Sequence, residues 1–318
     1  MCKLKVLGLM VCCCMLELFV NAQQEPMYSQ YMFNMLAINP AYAGCHEITE
    51  ATALFRKQWL GIPGAPSTTT LGVNIPDNLH GLGYGLQFSN DIIGVTKTNT
   101  MAASFSYRTH VFSENDDLSF GLSASLANFQ ANYNMVDLIQ SADPSFTGQI
   151  VKAWFPNVGA GIFYHTEDFY LGFSAPSLLT NKVNGIAIST GASVSSDVLI
   201  AHYFLTGGVV LTLNDALKLK PSILIKAVPG TPIETDLNAN LWIDNRVCVG
   251  ASYRTKAAFV GMVEVQLSPQ LRLGYSYDRE ITDLAKYTNG THELMLKFEW
   301  NDPNNKVYYP KVYYPRYF

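Results

Sequence analysis

The sequence predicts an all-β fold: a transmembrane antiparallel β-barrel of about fourteen strands, preceded by a non-barrel segment and followed by a short tail. Three observations predict it. Fourteen segments alternate apolar with small or polar residues at period two, the sum of weak signals by which a membrane barrel reads. Charged residues are only 14% and aromatics reach 12%, against roughly 25% charged in a soluble domain. An export leader precedes the alternating segments, and no apolar run is long enough for a membrane helix.

The leader is residues 1–22. Lys3 and Lys5 supply the positive start, Val6–Val20 the apolar stretch, and Val20-Asn21-Ala22 a small-residue site for cleavage between Ala22 and Gln23. A lipid anchor at Cys12–Cys14 fits less well, because Leu9-Met10-Val11 lacks the small residues such a site needs. Removing the leader leaves 19 basic and 24 acidic side chains with no basic cluster, which argues against nucleic acid as a partner. Cys45 and Cys248 remain. They fall near strand starts far apart around the barrel, so two unpaired thiols are expected rather than a disulfide.

Residues 23–46 do not alternate. They are dense in Met and aromatic side chains that would not stay solvated on a free tail. Tyr28, Tyr31, Phe33, Asn39, Pro40 and Tyr42 are the candidate contacts, either plugging the lumen or meeting a partner.

The barrel is placed in residues 47–300. Its strands are expected at Ile48–Leu60, Ser67–Ile75, Gly81–Asn90, Lys97–Thr109, Asp117–Asn132, Ala153–Thr166 and Asp168–Ala175. They continue at His202–Leu213, Leu217–Val228, Glu234–Ile243, Val247–Arg254, Ala257–Leu267, Leu271–Arg279 and Thr291–Trp300. In the third, Leu82, Tyr84, Leu86 and Phe88 oppose Gly83, Gly85, Gln87 and Ser89. Each segment thus has one greasy face and one small, wettable face. A soluble sandwich would carry Lys and Glu on its second face; here that face is mostly Gly, Ser, Thr, Asn and Ala. Leu224 breaks the pattern of its strand, and Pro221 points to a bulge or rim position.

The connections give an independent check. With both termini in the periplasm, short turns and long outer loops should alternate. The long stretches Tyr133–Lys152, Pro176–Ala201 and Glu280–Gly290 are the fifth, seventh and thirteenth connections, all on one side. Fourteen strands enclose more space than wall side chains alone readily fill. Lys57, Arg108, Arg254 and Arg272 are expected in the lumen or at the rim, since charge facing lipid at mid-depth costs about 2–4 kcal/mol.

The tail, residues 301–318, repeats Lys306-Val307-Tyr308-Tyr309-Pro310 as Lys311-Val312-Tyr313-Tyr314-Pro315. Proline every five residues excludes a central strand. Tyr308, Tyr309, Tyr313 and Tyr314 make it either a free tail or a sticky peptide for a periplasmic partner or the lumen.

No catalytic, cofactor or metal site is expected. His292-Glu293 opens a zinc-protease motif, but Leu296 stands where the second histidine is needed. Glu114, Asp116 and Asp117 lack the spacing and central glycine of a calcium loop.

Gln30-Tyr31-Met32-Phe33-Asn34 and Asn39-Pro40-Ala41-Tyr42-Ala43-Gly44 resemble the start of the PorP/SprF family of type IX secretion outer-membrane proteins. The likeness runs on through Phe55-Arg56-Lys57-Gln58-Trp59, Leu118-Ser119-Phe120-Gly121-Leu122, Asp236-Leu237-Asn238-Ala239-Asn240, Gly274-Tyr275-Ser276-Tyr277-Asp278 and His292-Glu293. Met35-Leu36 stands where the family commonly has proline, and the long tail also departs from it. The resemblance implies a non-catalytic barrel in the outer membrane of a Gram-negative bacterium. Its partners would be outer-membrane lipid, a cognate type IX secreted surface protein (often an adhesin) and other envelope components of the system. The competing expectation is a passive channel or hydrophobic-solute transporter with residues 23–44 as its hatch.

Overall fold

The computed structural model describes residues 27–46, 48–113, 116–132, 150–187 and 193–300. The leader with Ala22 and Gln23, most of the 133–152 loop, and the tail with its four tyrosines lie outside them.

Fourteen long strands close into one antiparallel barrel. Seven run in sequence: β1 (Glu50–Lys57), β2 (Ser67–Asp77), β3 (Leu82–Ile93), β4 (Thr96–Thr109), β5 (Asp117–Asn132), β6 (Ile150–His165) and β7 (Phe169–Ser177). A separate hairpin follows, β8 (Asn181–Ala187) with β9 (Ser193–Leu199). The wall resumes with β10 (His202–Val209), the two-residue β11 (Leu211–Thr212), and then β12 (Leu217–Ala227) and β13 (Glu234–Ile243). It ends with β14 (Val247–Arg254), β15 (Ala258–Gln266), β16 (Leu271–Glu280) and β17 (Thr291–Glu299). Pairing of β1 with β17 and of β10 with both β7 and β12 closes the circle. Closure is what hydrocarbon demands, because it offers no partner to a free strand edge.

The greasy faces point outward. Leu86, Met101, Leu122, Phe173, Leu237 and Leu294 are exposed on the outer wall, while alternate residues such as Gly121, Gly172, Asp236 and Glu293 are buried toward the axis. Leu224 departs from the apolar-out pattern because it faces the lumen, where it joins the core. Pro221 sits opposite the break between β10 and β11: Ser222 pairs with Gly208 and Leu219 with Leu211. A proline there removes a donor where the ladder is already interrupted.

Six connections, including 78–81, 166–168 and 244–246, share one end of the barrel, the turn end. The long ones share the other, the loop end. The 176–201 stretch is not a plain loop, since it holds the β8–β9 hairpin outside the barrel sheet. Strand lengths are uneven: β5 and β6 have 16 residues each, whereas β1 and β14 have 8. The wall is therefore taller on the β3–β6 side.

Candidate functional site: the lumen plug

The segment before β1 lies inside the barrel. Three short 3-10 turns, Tyr31–Phe33, Met35–Ala37 and Pro40–Tyr42, fold it into a compact knot. Asn39 caps the third turn by accepting from the Ala41 amide, and Pro40 follows at the first position, where its missing N–H costs nothing. Tyr31, Met32 and Met35 are each 1% exposed. The Met-rich composition suits this setting, because unbranched side chains fill an irregular space.

One wall grips the plug through charge. Arg56 on β1 donates to Glu293 on β17 at 2.9 Å, to Asp278 on β16 at 2.8 Å and to the Ser29 hydroxyl at 2.8 Å. Ser29 in turn donates its hydroxyl proton to the Asp278 carboxylate. The Glu293 carboxylate accepts the backbone amides of Ser29 and Gln30 at 3.0 and 2.8 Å. Arg254 on β14 joins Asp236 at 3.2 Å and reaches Asp278 at 3.5 Å. Arg56, Asp278 and Glu293 have side chains at most 1% exposed, so each charge depends on the others for compensation. Arg56 faces Glu293, and Asp236 faces Arg254, directly across their strand pairs. A second charged layer lies nearer the turn end. Lys297 meets Glu50, which also bonds His46, and Arg272 bridges Glu264 and Glu299.

The opposite wall grips the plug through absence of side chains. Gly83, Ser106, Gly121, Gly161 and Ser174 are register partners in turn across β3 to β7. Residues 38–44 run along this row. Ser106 donates to the Ala43 carbonyl at 2.5 Å and Ser174 to the Ile38 carbonyl at 2.6 Å. A Cβ on Gly121 would overlap the Pro40–Ala41 backbone, and one on Gly161 would overlap the Asn39 amide group. Only glycine lets the plug come this close.

Between the walls, Tyr31 accepts from the Asn238 amide at 2.6 Å, and Phe33 meets the Trp242 ring edge-on at 6.1 Å. Tyr42 stacks edge-on against Phe163 at 5.4 Å. Tyr28 bonds Thr70 at 2.8 Å. All six described candidates of this segment, Tyr28, Tyr31, Phe33, Asn39, Pro40 and Tyr42, are thus brought together in the lumen. Near the turn end Asn74 accepts the Gly44 amide at 2.6 Å. Burial pushes the neighbouring Cys45 thiol up to about 12, and both Cys45 and Cys248 are free and buried.

Of the four expected cations, Arg254 and Arg272 face the lumen. Arg108 caps the carbonyls of Gly44 and Cys45, and Lys57 lies at the rim, donating to Ala65. Arg56, the centre of the clamp, was not among them. The signal was present, since Arg56 shares its strand parity with Glu50, Thr52 and Leu54 and not with Phe55. His292 and Glu293 face opposite sides of β17; His292 bonds Tyr275 on the outside while Glu293 points in. They cannot share a metal.

Residues 20–298 match the family described as type IX secretion system membrane protein PorP/SprF. The chain belongs to that family. It is an outer-membrane barrel of a secretion system. No curated protein is significantly similar in sequence. Among solved structures, it resembles a Pseudomonas aeruginosa FadL homologue at 14% identity and TM-score 0.46, covering 88% of this chain and 96% of that one. It also resembles the CymD monoaromatic hydrocarbon channel at 10% identity and TM-score 0.47, covering 86% and 92%. A third is the Acinetobacter baumannii outer membrane protein Omp33, at 13% identity and TM-score 0.40, covering 81% and 100%.

Proposed function

We propose that this PorP/SprF barrel is a non-catalytic docking component of type IX secretion that aids export or surface anchoring of one cognate secreted protein, adhesin-like in kind. Residues 1–22 are removed as a leader, 23–46 form the plug, 47–300 the barrel, and 301–318 a periplasmic tail whose Tyr308, Tyr309, Tyr313 and Tyr314 are available to other envelope components. The observation that carries the reading is the all-round fixation of the plug. It bonds β2, β4, β7, β13 and β17 by side chain or backbone. An open passive pore needs an unobstructed lumen, and this one holds a buried aromatic and ionic core. A plugged barrel instead offers its loop end as a recognition surface.

The test is purification of the tagged protein in detergent, with identification of what comes with it, alongside planar-bilayer recording. A quiet barrel that retains one exported protein supports the proposal. Steady large openings with no retained protein would favour the passive channel.

A further inference from the structure

The direction in which the plug is threaded says where the processed chain begins. The plug leaves the lumen for β1 at the turn end, where Gly44 is held by Asn74 and by Arg108. Followed toward lower numbers, the chain climbs. Ser29 is bonded to Arg56, the next-to-last residue of β1 at the loop end. Met27 lies 4.0 Å from the amine of Lys226, the next-to-last residue of β12 at that same end. Lys226 stands nine residues above the turn-end start of β12, a height of about 23 Å at the usual strand rise and a tilt near 40°. With processing after Ala22, only four residues precede Met27, and four residues reach at most about 14 Å. The way down is also filled by Tyr31, Met32 and Met35.

We infer that the mature amino terminus emerges at the loop end of the barrel, opposite to the end where β17 hands over to the carboxyl-terminal tail. On this inference the expectation of two termini on the periplasmic side does not hold for the amino terminus. On the secretion reading proposed above, the loop-end mouth of the lumen beside Met27 and Lys226 belongs to the surface that meets the exported protein.

Single cysteines read this out, because Cys45 and Cys248 are buried. Glu25→Cys, with Gln24→Cys as a second variant, is compared with Tyr287→Cys in the β16–β17 loop and Leu79→Cys in the β2–β3 turn, both highly exposed. A membrane-impermeant maleimide is applied to intact and to lysed cells, with heat-modifiable gel mobility confirming a folded barrel. The inference requires the amino-terminal cysteines to label under the same condition as Tyr287→Cys. Labelling with Leu79→Cys instead, or in neither condition, overturns it. Neither outcome depends on whether an exported protein binds.

Discussion

The two walls that hold the plug solve one problem by opposite means. The β1 and β13–β17 side places five acidic and basic side chains near Ser29 and Gln30; the β3–β7 side lines residues 38–44 with a row of glycine and serine, flanked by Phe163 and Arg108. Charge can discriminate, since a carboxylate such as Glu293 accepts two successive amides only in one orientation of the chain. Its burial is expensive, however, and each ion tolerates little change in its partners. The small-residue wall discriminates by distance alone. Its hydrogen bonds to Ala43 and Ile38 are neutral, and at the turn end Arg108 adds a guanidinium on the Gly44 and Cys45 carbonyls. The pairing teaches that one wall sets the direction of the plug and the other sets how closely it seats.

The comparison breaks most readily at Arg56. Arg56→Ala leaves Asp278 and Glu293 buried with Arg254 as the nearest remaining guanidinium, and should cost about 3–5 kcal/mol. Denaturant unfolding from lipid vesicles would show it, and bilayer recordings should gain openings as the plug loosens. On the other wall, Gly121→Val should cost about 3 kcal/mol, at the upper end for overpacking, because Pro40 and Ala41 cannot retreat. Gly261→Val is its control: nothing lies within 4 Å of a Cβ there, so its unfolding midpoint should stay near that of the parent. Equal effects at the two glycines would show that strand propensity, not plug contact, governs the result.

Glu293→Gln sharpens the orientation argument. The amide keeps one acceptor oxygen but loses the charge facing Arg56, for about 2 kcal/mol. Limited proteolysis should then cut the 27–36 region before 38–46, since only the charged wall is weakened. Tyr31→Phe should be the mildest, about 1 kcal/mol for the bond from Asn238, with no new conductance. A large opening from this variant would mean that the middle of the plug, rather than either wall, is the latch.

Most of the wall could be read from residue order. Asp117–Asn132, Glu234–Ile243 and Val247–Arg254 coincide in both readings, because a lipid-facing strand must repeat its apolar residues at period two. The β8–β9 hairpin is not among the expected strands; its stretches are short, and a pair outside the barrel sheet is not bound to the wall's alternation. Arg56 and Lys57 are adjacent charges, and only the strand phase, set by the outward Phe55, says that Arg56 is the one facing in. The family-like segments around Arg56, Asp236, Asp278 and Glu293 were visible separately, with nothing along the chain to say that they meet.

Residue order by itself determined that this chain is a barrel, which face of each strand is oily, and that residues 23–46 must be covered by something. Those properties are local, since alternation and composition act over a few residues at a time. Only the closed tertiary structure decided that Arg56 answers Glu293 across 237 positions, that a row of small residues seats residues 38–44, and that the plug climbs toward the loops. Such choices depend on which strands become neighbours once the sheet curls shut, a long-range geometric condition that no short window of sequence contains.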